Sequence, residues 1–206
     1  MKPCPAIALI ELSNLAAGIH TADAMVKKSP IALLKTGTVS RGKYLVLIGG
    51  SVAAVDEAYQ EGLQAAGDSC IDSMMLPDVH PRVLSAASGE EAKITAEALG
   101  ILETPTIAMN IAAADAAIKG AAVQILEMRL GDNYAGKGYT LFNGKVEDVQ
   151  AAIEIAAEVV QQRDGSASTC VIPRLHESMA RQINGPLRFN ASEQIHLNDG
   201  EQDVTR

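Results

Sequence analysis

The sequence predicts an α+β fold built twice: a split βαβ unit of ferredoxin-like type, with helices on one face of an antiparallel sheet, repeated in tandem. Three observations predict it. Matched residues recur at constant spacing, with Glu11 answering to Glu103, Ala22-Asp23-Ala24 to Ala114-Asp115-Ala116 and Lys27 to Lys119, each 92 residues on. Later pairs keep their order while the spacing widens, to 94 residues for Gly42-Lys43 and Gly136-Lys137 and to 96 for Pro77 with His80 and Pro173 with His176. The insertions therefore fall between elements, where loops absorb them. Within each copy, short apolar β-compatible runs alternate with stretches of helical periodicity. Two copies of this length are too few for a solenoid and indicate duplication of a small domain.

In the first copy, Ala6 to Leu12 forms a strand, and Thr21 offers an N-cap, with Asp23 in the first turn of a helix running to about Lys28. Ile31 to Leu34 and Tyr44 to Ile48 are the next two strands. The turn formers from Thr36 to Gly42 make a hairpin-like loop between them. Gly49-Gly50 closes the third strand, and Ser51 caps a helix whose Val52, Val55, Tyr59, Leu63 and Ala66 share a face. Gly67 stops it, Cys70 to Leu76 is the last strand, and Val83-Leu84 begins a short helix after Pro77. The second copy repeats the order, with strands near Gly100 to Glu103, Val123 to Met128, Gly138 to Phe142 and Thr169 to Ile172. Its helices lie near Ala112 to Lys119 and along the face of Val146, Val149, Ile153 and Val160. The domains are 1–90 and 91–184, joined by a polar linker at about 85–98 that holds Ser88-Gly89-Glu90-Glu91, and 185–206 reads as a flexible tail.

With 206 residues, 48% hydrophobic and 20% charged, the chain suffices for two domains of about 90 residues each without metals or disulfides. Trp is absent and aromatics are 3%, which disfavours an enzyme with a deep aromatic-lined pocket. A net charge of −8 without any cluster of Lys or Arg argues against a nucleic-acid partner. The apolar run from Ala6 is interrupted at Glu11, far short of the ~20 residues of a membrane span, and no secretory cleavage pattern follows. The expected location is the cytoplasm. Cys4, Cys70 and Cys170 have no paired spacing, so they read as small apolar residues rather than metal ligands or a disulfide framework. His80 and His176 repeat symmetrically after prolines, which favours a structural role, and no acid or nucleophile stands at a recognisable distance. No catalytic residue and no metal ligand is assigned. Gly49-Gly50 lacks the pattern of a phosphate-binding loop and is read as a tight strand-to-helix turn.

Several of these stretches resemble the bacterial microcompartment (BMC) shell-protein domain in its tandem, trimer-forming version. They are Asp23-Ala24-Met25-Val26-Lys27, the loop ending Ser40-Arg41-Gly42-Lys43, Gly49-Gly50 with Val52-Ala53-Ala54-Val55, and Val171 to Glu177. Val79 to Leu84 and Ile172 to Met179 are most similar to the propanediol-utilisation group of that family. The resemblance implies a non-enzymatic structural tile in the shell of a bacterial microcompartment. It would be a homotrimer whose six domains imitate a hexamer around a central pore for small metabolites, set among other BMC shell proteins in a sheet. Carried over by position, the pore would be lined by Val39, Ser40 and Arg41 from the first copy and Asn133, Tyr134 and Ala135 from the second. Tile-edge contacts would fall to Lys27, Lys119 and Arg174, with Asp78 standing where Arg174 stands in the second copy.

Relatives in the propanediol-utilisation group carry a cysteine in the first-copy loop, where three copies hold an iron–sulfur cluster. The aligned residue here is Ser40, which lacks the soft thiolate such clusters prefer, so no cluster and no other cofactor is expected. Ser40 and Arg41 would instead give a polar or cationic constriction for small polar or anionic metabolites. The alternative from another class is a ferredoxin-like regulatory protein holding small molecules between subunits.

Overall fold

Each half of the chain folds as a four-stranded antiparallel sheet, and the computed structural model describes residues 5–195 and 197. The first half runs β1 (Ala6–Leu12), α1 (Leu15–Lys28), β2 (Leu33–Thr38), β3 (Tyr44–Gly50), α2 (Val52–Ala66) and β4 (Cys70–Leu76), with sheet order β2-β3-β1-β4. Helix α3 (Pro81–Ala87) and an extended segment lead to the second half. There β5 (Ala98–Thr104), α4 (Ile107–Gly120), β6 (Gln124–Leu130), β7 (Gly138–Gly144), α5 (Val146–Gln162) and β8 (Ser168–Ile172) repeat the order as β6-β7-β5-β8, followed by α6 (Glu177–Ile183).

Strand alternation divides β1 between two cores. Ala6, Ala8, Ile10 and Leu12 face α1 and α2 and join Met25, Val46, Ile48, Val55 and Ala58. Ile7 and Leu9 point the other way, into a second cluster with Val83 and Ala86 of α3 and with Ile107, Ile111 and Ala114 of α4. The first sheet is thus covered on both sides, which explains why every residue of β1 and β3 is buried. The helices of each domain do lie on one face, and the other face of the first sheet is closed by the second domain. On the second sheet the outer face is smaller: Leu99, Leu126, Tyr139 and Leu141 are covered by Ala92 and Ile94 of the connecting segment and by Ile183 of α6.

Local expectations fail at α1, β2, the linker and the start of α4, which begins at Ile107 rather than near Ala112. Helix α1 begins at Leu15, capped by Asn14, whose Oδ1 accepts from Ala17 N–H at 2.9 Å. Thr21 therefore lies inside the helix and is buried, with its hydroxyl unpartnered. Leu15 and Ile19 are apolar but face outward, so they lie off the stripe of Ala22 and Met25 that α1 buries. Strand β2 runs on through Thr36-Gly37-Thr38, since their pairing with Tyr44, Leu45 and Val46 outweighs the turn preference of the residues themselves. The polar linker is shorter than 85–98, because residues up to Ala87 are helical and β5 starts at Ala98. Of the segment read as a tail, 198–206 lies outside the described residues, while Glu193 accepts a hydrogen bond from Gln182 through its carbonyl at 2.6 Å.

Candidate pore loops and domain seam

The loop between β2 and β3 and its counterpart between β6 and β7 meet at one end of the molecule. The carbonyl of Ser40 lies against Gly136, where an added Cβ would stand 3.0 Å from it. Lys43 ties both loops together, its ammonium donating to Glu11 Oε1 at 2.5 Å and to the Gly136 carbonyl at 2.9 Å. Both loops turn through left-handed backbone. Gly42 and Gly136 take φ of 71° and 70°, but Arg41, Asn133 and Ala135 do so without being glycine, at 66°, 52° and 49°. Among the described residues the only other such non-glycine is Asp164, so three of four lie in these loops. That conformation costs an L-residue about 1 kcal/mol or more, and it persists where surroundings impose it.

Of the residues predicted to line a pore, Arg41, Asn133 and Ala135 are exposed and Val39 and Ser40 partly buried. Val39 packs toward Gly131 of the second domain. Tyr134 keeps its backbone in the loop but turns its ring onto the sheet, edge-on to Tyr139 with centroids 5.0 Å apart. Its hydroxyl donates to Glu103 Oε2, and burial together with that carboxylate pushes the phenol up to about 12. Arg174 is exposed. Lys27 is exposed and pairs with Asp23 at 2.5 Å. Its counterpart Lys119 makes the same pair with Asp115 at 2.5 Å and also donates to the Asp78 carbonyl, so it stands on the seam between the two domains.

Apart from His80 and Lys119, that seam is built from residues that sequence reading left without a role. Helix α4 has no side-chain cap of its own, and Glu11 of the first domain supplies one, its Oε2 accepting the Ile107 N–H at 2.8 Å. A carboxylate at a helix N-terminus is favoured by the helix dipole. Thr106 donates to Asp72 at 2.5 Å, and Arg163 donates to Asp72 at 2.8 Å and to the Ser73 carbonyl at 2.7 Å. Asp115 accepts the His80 N–H at 2.8 Å, and Arg82 of α3 donates to the Ile125 carbonyl at 2.9 Å. The one signal available beforehand was a glutamate within an otherwise apolar strand, repeated at Glu11 and Glu103. His80 and His176 prove to be structural N-caps, their Nδ1 atoms accepting from Arg82 N–H and Ser178 N–H at 3.2 Å each.

The two glutamates are pushed in opposite directions. Desolvation raises Glu11 above its ordinary value against the opposing Lys43 and Ile107 bonds, whereas the Lys137 and Tyr134 bonds hold Glu103 below its ordinary value. One copy is sealed in a seam and the other is partly exposed. The same contrast runs through the apolar residues: Ile107, Ile111 and Val83 are 0% exposed in the seam, while their counterparts Leu15, Ile19 and Met179 are 51%, 55% and 50% exposed.

The sequence profile of the BMC domain matches residues 6–79 and again 98–175, one match for each sheet-and-helix unit. The chain belongs to the bacterial microcompartment shell-protein family. It is 39% identical over 178 residues, 86% of its length and 97% of the other's, to the bacterial microcompartment shell protein PduT of Citrobacter freundii. The crystal structure of a microcompartment protein from Desulfitobacterium hafniense superposes with a TM-score of 0.76 at 38% identity, covering 85% of this chain and 98% of that one. The fused permuted hexameric shell protein of the RMM microcompartment shares the fold, with a TM-score of 0.58 at 20% identity over 78% and 86% of the two chains. BMC shell proteins are structural components that assemble with other shell proteins, and this chain is one of them rather than an enzyme.

Proposed function

We propose that this shell protein closes as a homotrimer around a central pore lined by Val39, Ser40, Arg41, Asn133, Tyr134 and Ala135, and that the pore passes small polar or anionic metabolites. The observation that carries this reading is the mismatch in burial just described. The intrachain seam is complete, and its anchors Ile107, Ile111 and Val83 have half-exposed duplicates in Leu15, Ile19 and Met179. Repeating that seam from the second domain of one chain to the first domain of the next is a heterologous contact, and such contacts close into rings when the rotation returns on itself. Three chains then supply six domains. Around the axis, three Arg41 side chains and three Ser40 hydroxyls would set a cationic and hydrogen-bonding rim. The tile would lie in the cytoplasm as part of the compartment's boundary, with Lys27, Lys119 and Arg174 toward neighbouring tiles.

The same reading assigns no iron–sulfur cluster to the pore, because a Ser40 hydroxyl is a hard, weakly acidic donor. Native mass spectrometry with electron microscopy of the purified protein tests the assembly, with a trimer that joins sheets or shells expected. A dispersed species carrying a stoichiometric small molecule would favour the regulatory alternative and overturn the tile. Anaerobic purification tests the cofactor reading: the wild type should be colourless, and brown protein with near-visible absorbance would refute it.

A further inference from the structure

We infer that Glu103 is the receptor for the N-terminus of α1 of a second copy of this chain, and that Tyr134 occupies the receptor's acceptor atom until that copy arrives. Formation of the seam between chains and the position of the second pore loop would then be one event. The inference rests on the trimeric reading above and adds a specific exchange of hydrogen bonds to it.

The argument comes from comparing the two glutamates atom by atom. Glu11 receives Lys43 on Oε1 and the Ile107 N–H on Oε2. Glu103 receives Lys137 on Oε1 at 2.8 Å and the Tyr134 hydroxyl on Oε2. The lysines correspond, so the second ligands correspond as well, and the place taken within the chain by a helix N-terminal amide is taken at Glu103 by a phenol. Ser40, the first-copy counterpart of Tyr134, leaves Glu11 to the amide. The counterpart of Ile107 is Leu15, at the first position of α1, and Asn14 beside it serves Ala17 rather than Leu15. Leu15 and Ile19 stand half exposed beside that amide, as the apolar anchors that Ile107 and Ile111 provide in the sealed seam. When α1 of a second copy docks, its Leu15 N–H takes Oε2 and the Tyr134 hydroxyl is displaced. Tyr134 sits in the loop between Asn133 and Ala135, both in left-handed backbone, so loss of its Glu103 bond removes the side-chain tie of that loop to the sheet.

Ile19→Asp supplies a single-chain reference, since Ile19 is half exposed in the single chain. With tyrosine labelled at Cζ and Tyr134→Phe used for assignment, the Tyr134 carbon resonance should differ between the wild-type trimer and the Ile19→Asp protein. Leu15→Pro removes the amide while fitting the first helical position, and Leu15→Ala removes the side chain but keeps the amide. In the Tyr134→Phe background, where no phenol returns to Oε2, sedimentation should show Leu15→Pro associating roughly ten- to a hundredfold more weakly than Leu15→Ala, as expected for one lost hydrogen bond to a charged group. Tyr134→Phe should tighten association. A trimer with an unchanged Tyr134 resonance, or equal association of the two Leu15 variants, overturns the exchange while leaving the trimer intact. A wild type that stays monomeric overturns both.

Discussion

Residue-scale consequences concentrate where the two copies carry the same residue in different surroundings. Glu11 has its affinity for a proton raised in the folded chain, so its contribution to stability is complete below its ordinary value near 4.5 and is lost as pH rises through the folded value. Glu103 is lowered, so its contribution is present above that ordinary value and is lost as pH falls through the folded one. Urea unfolding of Glu11→Gln and Glu103→Gln between pH 4 and 7 should therefore diverge. The penalty for Glu11→Gln should shrink as pH rises, and that for Glu103→Gln should grow; parallel profiles would contradict the assignment. Ala135 offers a second test. At φ 49° its Cβ is strained, and Ala135→Gly should raise stability by about 1 kcal/mol in the same assay, because glycine adopts this region freely.

At the scale of elements, close approach of helix to sheet sets the limits on change. Gly18 in α1 faces Tyr44, and an added Cβ would stand 2.2 Å from a ring carbon of that buried side chain. Helix propensity alone would make Gly18→Ala favourable by about 1 kcal/mol. Overpacking against a fixed ring costs about 1–3 kcal/mol, and here it exceeds the gain because the obstacle cannot rotate aside within the core. A net loss in thermal denaturation is expected, and a stabilised Gly18→Ala protein would show that α1 has room to shift. The elements themselves were legible from apolar periodicity, α2 and β4 to the residue: Ser51 caps α2 through its hydroxyl, accepting from Ala54 N–H at 3.3 Å, and Gly67 ends it. The start of α1 was not legible, since Leu15 and Ile19 carry an apolar signal toward a surface outside the chain.

For the whole molecule, the decisive feature is that one apolar cluster holds Ile7, Leu9 and Met74 of the first sheet together with Ile107, Ile111 and Ile153 of the second domain. Two homologous domains with separate cores could melt separately. Here the first sheet loses one of its covering faces if the second domain unfolds, so urea unfolding of the monomeric Ile19→Asp protein should show a single transition by circular dichroism and by tyrosine fluorescence. Two resolved transitions would mean that the shared cluster contributes little. The seam also differs chemically from its open counterpart, because Asp72 is answered by Ser168 and Arg82 by Ser178. The Asp72–Arg163 pair and the Arg82 bond to the Ile125 carbonyl therefore belong to the joint within the chain alone.

The duplication, the order of elements in each copy and the resemblance to shell proteins are legible in the residues alone, because apolar periodicity and repeated residues are local properties. The residues also place the two loops that share an end of the molecule. Which member of each matched pair is buried follows from how the two domains pack. Glu11 and Glu103, Ile107 and Leu15, and Val83 and Met179 are near-equals as letters, and they become different only when one copy docks and the other is left facing outward. The physical reason is that desolvation and hydrogen-bond partnership are set by neighbours distant in sequence. Two carboxylates at matching positions of the repeat can therefore differ in the direction of their proton affinity.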